Sequence, residues 1–242
     1  RLLTDLEETE AVFSTQRQNP RGTLNINMPS GIGRLIVIPA LPLFTERYPQ
    51  IELEIGLNDH PVDLIREGVD CVLRGGLALD ESLVARPLAM MDQVTLASPA
   101  YLERIGLPAS LDDLAHHEMV EYVSSTSGKR FGLEFQIGAE LRAVNLPKRV
   151  AVNSADGYFA ACAAGYGLIQ APYYHAMRQL EEGTLVQVLP HQAVPQMALT
   201  ALYPPHRQLS QRVRVFVDWL VELCGQPGNG LRRQACAEST EL

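Results

Sequence analysis

TLNINMPSGIGRLIVIPALPLFTERYPQIELEI, residues 23–55, reads as strand, tight loop, helix, strand. Leu24, Ile26 and Met28 alternate with Asn25 and Asn27 until Pro29, Ser30 and Gly31 break the period of two. Apolar residues then return at helical spacing, with Ile32, Leu35, Ile36, Ala40, Leu43 and Phe44 on one side, until Tyr48 and Pro49 stop the run. A second alternating set, Ile51, Leu53 and Ile55, completes a strand-helix-strand unit, which packs as a parallel sheet. Ser30 takes the N-cap position in this reading. The amides after it, helped by Gly31 and Gly33, point out of the carboxyl end of the first strand. Open parallel sheets bind small ligands at that edge, and a helix amino end there favours a negative group. Ser30 and Gly31 are therefore candidate binding residues.

Residues 150–172, VAVNSADGYFAACAAGYGLIQAP, repeat this logic. A strand over 150–152 meets Asn153 and Ser154, which cap a helix over 155–164; Gly165 and Gly167 end it, and a strand returns over 168–171. A second helix amino end thus stands at a strand's carboxyl end. Between the two units, a turn at 58–61 and a short helix over 62–67 closed by Gly68 lead into a buried strand over 69–73. Arg74, Gly75 and Gly76 follow at the same edge as Ser30, so Arg74 faces the same crevice.

The strand-like span 83–98 is too long for one strand and is read as carrying the chain from one lobe to another. Pro99 opens a helix over 100–105, and Ser110 with Asp113 forms a capping box on a helix ending near His116 and His117. Short strands over 119–123, 131–137 and 140–144 are interrupted by the polar loop 124–128. After Pro172 come a helix over 173–180, strands over 185–189 and 197–203, and an amphipathic helix over 209–223 with Val213, Phe216, Val217 and Leu220 inward. The composition beyond Cys224 reads as a disordered tail.

The 242 residues suffice for one large domain or two small ones, with 46% hydrophobic and 20% charged residues as in globular proteins. No apolar run approaches the roughly 20 residues that cross a bilayer. A formal charge of −8 with scattered basic residues argues against this segment binding nucleic acid by itself. Cys71, Cys162, Cys224 and Cys236 lack disulfide or zinc spacing and read as reduced thiols of a cytoplasmic protein. His116, His117 and Glu118 are adjacent and point apart, so no metal site is expected. No Gly-x-Ser-x-Gly elbow surrounds a serine, and Gly165-Tyr166-Gly167 is not a dinucleotide fingerprint, so neither an enzyme nor a cofactor is expected. The chain starts at Arg1 in the middle of a helical pattern over 2–16, which suggests that something precedes it.

Taken together, Gly22-Thr23-Leu24, Pro39-x-x-Pro42-x-Phe44 ending in Arg47-Tyr48-Pro49, the 70–75 strand, Ala97-Ser98-Pro99-Ala100-Tyr101-Leu102 and the 163–168 segment resemble the effector-binding part of a LysR-type transcriptional regulator. Tyr203-Pro204 with Arg207, and Phe216-Val217-Asp218-Trp219-Leu220, resemble that family's final strand and helix, so the likeness covers nearly the whole chain. It implies two Rossmann-like α/β subdomains of the type II periplasmic-binding-protein fold with a small effector between them. Residues 1–18 would end a linker helix from an absent winged helix-turn-helix domain, through which alone DNA is bound. Subdomain I would comprise 21–96 and 195–224, subdomain II 97–194, and the tail 225–242. The resemblance also implies a homodimer or higher homo-oligomer. It places effector contacts at Ser30, at Arg74 and Gly75, in the loop holding Ser124, Ser125 and Thr126, at Asn153 and Ser154, and near Gln170 and Tyr173. The alternatives are a periplasmic solute-binding protein of the same fold, and an enzyme on a two-lobed frame.

Overall fold

The computed structural model describes residues 20–59, 64–76, 82–124, 128–205 and 210–232. The expected linker helix over 1–18 and the last ten residues lie outside these ranges. Strand β1 (Gly22–Met28) hands the chain to α1, a continuous helix made of Ser30–Ile32, a π-helical turn Gly33–Val37, and Ile38–Arg47. Pro39 and Pro42 have no N–H to donate, and the widened π turn lies immediately ahead of them. Strand β2 (Ile51–Leu57) returns parallel to β1, pairing Gly22 with Ile51 through Met28 with Leu57. A short helix α2 (Leu64–Glu67) precedes β3 (Cys71–Gly75), which pairs parallel on the other side of β1.

The long span expected to cross between lobes is two strands, β4 (Val84–Met91) and β5 (Gln93–Ala97), broken at Asp92. The first lies in one sheet and the second in another. The crossing is therefore at Asp92, ahead of the 96–97 boundary expected from sequence. Then follow α3 (Pro99–Ile105), a 3-10 turn Asp112–His116, β6 (Met119–Val123), β7 (Arg130–Phe131), β8 (Leu133–Ile137), β9 (Glu140–Val144) and β10 (Lys148–Val152). The chain continues through α4 (Ala155–Ala163), β11 (Ile169–Pro172), α5 (Tyr173–Glu181) and β12 (Val186–Gln187), then returns as β13 (Met197–Tyr203) and α6 (Gln211–Cys224).

The first sheet runs β14-β4-β13-β3-β1-β2, where β14 is Leu231–Arg232. In the second lobe β10 pairs parallel with β6, Leu168 bridges Met119 of β6, and β11 pairs antiparallel with β5, which pairs antiparallel with β12. The order β10-β6-β11-β5-β12 thus repeats β2-β1-β3-β13-β4, with one antiparallel strand in the fourth place of each. This is the type II periplasmic-binding-protein arrangement of two α/β subdomains. The junction at Leu168 needs Gly167, whose φ is +133° and where a β-carbon would lie 2.5 Å from the Glu118 carbonyl oxygen.

Subdomain I is cored by Phe44, whose ring meets Phe216 edge-on at 5.3 Å and Trp219 at 5.1 Å, over Leu24, Ile26, Leu73 and Leu199. Subdomain II has its own clusters, around Leu96, Phe159 and Ile169, and around Tyr101, Leu133 and Phe135. Three expectations need correction. Leu43, assigned inward, is 61% exposed, because the π turn rotates the helix that follows it and Val37 turns inward instead. Ser30 is the first helical residue, with Pro29 at the N-cap and no side-chain cap. The segment after Cys224, expected to be disordered, is ordered through Arg232, where β14 pairs with β4 and Asn229 donates to the Leu223 and Cys224 carbonyls that end α6.

Phe216→Ala is expected to lower unfolding free energy by about 3–5 kcal/mol, whereas Leu43→Ala changes it by less than about 0.5 kcal/mol. Urea denaturation midpoints of the two variants check the difference.

Candidate functional site

Strands β1, β2 and β3 all point their carboxyl ends at one seam, and β6 and β10 point theirs at it from the other subdomain. The first turn of α1 touches the first turn of α4 there. Arg34 Nη2 donates to Asp156 Oδ1 at 2.9 Å across the seam, although both side chains are about half exposed. Gly31 lies against α5: a β-carbon on it would stand 2.9 Å from His175 Nδ1 and 3.1 Å from the Tyr174 hydroxyl. Only a residue without a side chain allows that approach.

At the carboxyl end of β2, the Asn58 N–H donates to the Met28 carbonyl, which ties the following loop to β1. The next residue, Asp59, reaches the other subdomain, where its Oδ2 accepts from the Ala155 N–H at 2.8 Å. Ala155 is the first residue of α4 and Ser154 its N-cap, whose Oγ accepts from the Gly157 N–H at 3.2 Å. An amide end of the kind expected to hold a ligand's anion therefore carries a carboxylate of this chain.

Arg74 is partly buried, with Nη1 donating to the Leu73 carbonyl at 3.1 Å and to Asn27 Oδ1 at 3.4 Å. Burial lowers its pKa, and the charge of Asp59 opposes that shift. Burial, reinforced by Asp59, pushes the Tyr122 hydroxyl up to about 12 and raises that of Tyr174. Asp59, Arg74, Tyr122 and Tyr174 thus form one electrostatic group. His175 is only 3% exposed, stacks on Phe159 at 4.2 Å, and brings Nε2 within 3.4 Å of Asp156 Oδ1 without a hydrogen bond. Burial lowers its pKa, against the pull of Asp156.

The residues singled out from sequence divide accordingly. Ser30, Gly31, Arg74 and Gly75 border the seam from subdomain I, and Asn153 and Ser154 from subdomain II. Ser124 follows the end of β6, level with Ser154 if the β6–β10 register is continued, with its N–H donating to the Lys129 carbonyl; Ser125 and Thr126 lie outside the described residues. Gln170 has its amide committed: Oε1 accepts from the Glu134 N–H, and Nε2 donates to the Glu134 carbonyl and Thr95 Oγ1. Tyr173 lines a separate hollow of about 370 Å³ with Asp92, Val194 and Arg232; its neighbour Tyr174 faces the seam. Another hollow, of about 330 Å³, flanks the seam between Arg34, His175, Arg178 and Asn229. Sequence reasoning missed Asp59, Tyr122, Tyr174 and Asp156. Asp59 was within reach, since it follows a parallel strand at the same edge as Ser30.

Among the described residues no three His, Cys, Asp or Glu side chains gather as a metal site. His117 is buried against the Tyr101 hydroxyl, 3.1 Å from Nδ1, and so does structural work. No described helix is long and apolar enough to cross a membrane.

A family model, the LysR substrate binding domain, matches residues 17–225. The HTH-type transcriptional regulator YhjC of Escherichia coli K12 is 36% identical over 219 residues, covering 90% of this chain and 73% of that protein. The HTH-type transcriptional repressor PA14_22550 of Pseudomonas aeruginosa is 32% identical over 222 residues, covering 92% and 70%. Among solved structures, the regulatory domain of CrgA, a LysR-type transcriptional regulator from Neisseria meningitidis, superposes with a TM-score of 0.72 at 26% identity, covering 84% of this chain and 98% of that one.

Two outcomes follow from the burial of titratable groups. Cys71, Cys162 and Cys224 are buried, which pushes each thiol up to about 12. Near pH 8 only about one in 10⁴ is thiolate, so iodoacetamide should leave all three unmodified in folded protein and label them after denaturation. His117 and His175 are both held below the usual 6.5 by burial, so the folded state binds fewer protons than the unfolded one. Their contribution is present above about pH 6.5 and is lost as pH falls below it. The urea midpoint should drop from pH 7.5 to 5.5, and less so in a His117→Gln, His175→Gln double variant.

Proposed function

The chain belongs to the LysR-type transcriptional regulators as their effector-binding domain, and on that premise we propose that it senses a small carboxylate-bearing metabolite in the seam between its subdomains. The observation that carries this reading is the meeting of two helix amino ends from separate subdomains, at Ser30 and at Ser154–Ala155, with Arg74 beside them. Each end carries a partial positive charge, and Arg74 adds a full one. A carboxylate engaging both ends binds the closed seam better than an open one.

That difference in affinity is what lets a ligand shift an equilibrium between lobe angles. Members of the family bind small effectors and act as oligomers on DNA. In this reading the changed lobe angle alters how copies of the chain pack, DNA being reached through a winged helix-turn-helix ahead of this segment in a cytoplasmic regulator. The contacts assigned to the effector are Ser30, Gly31, Arg74, Gly75, Ser124, Asn153 and Ser154. Transport is not favoured, because the relatives named above are transcriptional regulators.

A thermal-shift screen of aromatic and aliphatic carboxylates tests the assignment. A ligand at about 100 times its Kd adds roughly 2.7 kcal/mol of stability, which raises Tm by several degrees. Ser30→Ala and Asn153→Ala should each shrink that rise; equal rises in all three proteins would remove the site from this seam.

A further inference from the structure

The amino end of α4 is occupied. Asp59 comes from the loop after β2 in subdomain I, and its Oδ2 takes the Ala155 N–H of subdomain II at 2.8 Å. The same end has a second polar group without a hydrogen bond, Nε2 of the buried His175, which stands 3.4 Å from Asp156 Oδ1. The surroundings of Asp59 are those that suit a bound anion: Arg74, and the Tyr122 and Tyr174 hydroxyls, whose protons its charge helps to retain. The Arg34–Asp156 ion pair also spans the seam, but both partners are about half exposed, so solvent screens it. The partly shielded, charge-assisted bond from Asp59 is the stronger tie.

We propose that Asp59 is a tethered substitute for the effector's carboxylate: it holds the two subdomains together on the amino end of α4 in the unliganded protein, and an acidic effector enters by exchanging with it. This rests on the effector reading of the seam given above, and specifies how that site is regulated. Binding then replaces one carboxylate by another: the charge at the α4 end is kept, Asp59 is freed, and the effector, which also engages the Ser30 end, sets the lobe angle in place of the tether. A neutral ligand cannot make that exchange, because it would leave the amides of α4 without an anion. Asp59 thereby selects effectors by charge as well as holding the resting state.

The test places spin labels at Glu46→Cys on α1 and Arg142→Cys on β9, both exposed and in different subdomains, and measures their distance distribution in the 242-residue chain. Asp59→Ala should reduce the closed population relative to the open one by roughly tenfold, the size of one charge-assisted hydrogen bond. Sodium formate, as a free carboxylate, should restore the short distance in Asp59→Ala, while sodium chloride at equal ionic strength should not. Asp59→Asn, equal in size and lacking the charge, carries the test should alanine fail to fold, and it too must move the distribution outward. An unchanged distribution in the variant would overturn the tether, and an outward shift that formate does not reverse would overturn the exchange. Neither result depends on finding the effector, whereas failure of every carboxylate to raise the wild-type Tm counts against the effector reading alone.

Discussion

A parallel strand can pass its chain to a helix only at its carboxyl end, and that constraint shapes this molecule. It acts twice, at β1 into α1 and at β10 into α4, and both hand-overs fall on the seam between subdomains. Because the first N–H groups of a helix have no acceptor within it, the seam inherits two concentrations of positive potential without any basic side chain being spent on them. The chain's acidic balance of −8 is thus compatible with an anion-accepting crevice.

Much of this was legible in the residues, and the failures have local causes. The strand Met197–Tyr203 and the cap at Ser154 were read correctly, because alternation and capping are written in adjacent side chains. Ser30 was misassigned because Pro29 offers the extended backbone that an N-cap needs, which moves the helix start forward by one residue. Leu43 was misassigned because a π turn breaks the 3.6-residue phase on which the inward face was counted. The order of strands in the first sheet was not legible: β13 comes between β3 and β4 after a long excursion, and no short-range pattern encodes such a pairing.

At the candidate site, the positions singled out from sequence are chiefly backbone donors, and those that only the fold brings there are acids and phenols. Turn residues and glycines mark where amides are exposed, so Ser30, Gly31, Asn153 and Ser154 stood out. Asp59 looked like an ordinary turn residue, since its partner, Ala155, is far away in the chain and belongs to the other subdomain. Gln170 is the opposite case: a polar residue singled out for a contact, whose donors and acceptor serve the backbone of Glu134 and the hydroxyl of Thr95. Tyr174 packs into the first subdomain's core although it lies in the stretch of chain that builds the second, so the two halves share more than a hinge.

The return of β13 and α6 to the first sheet has a bearing on synthesis. Strands β5 to β12 form one uninterrupted stretch, whereas Phe44 must wait for Phe216 and Trp219 to emerge before its ring is covered. The first sheet, begun before the second lobe, is therefore finished after it, and the middle of the chain can fold on the ribosome while the earlier β-strands still hold an uncovered apolar face. During that interval a nascent chain of this architecture depends on its partly built first sheet finding no other strand to pair with.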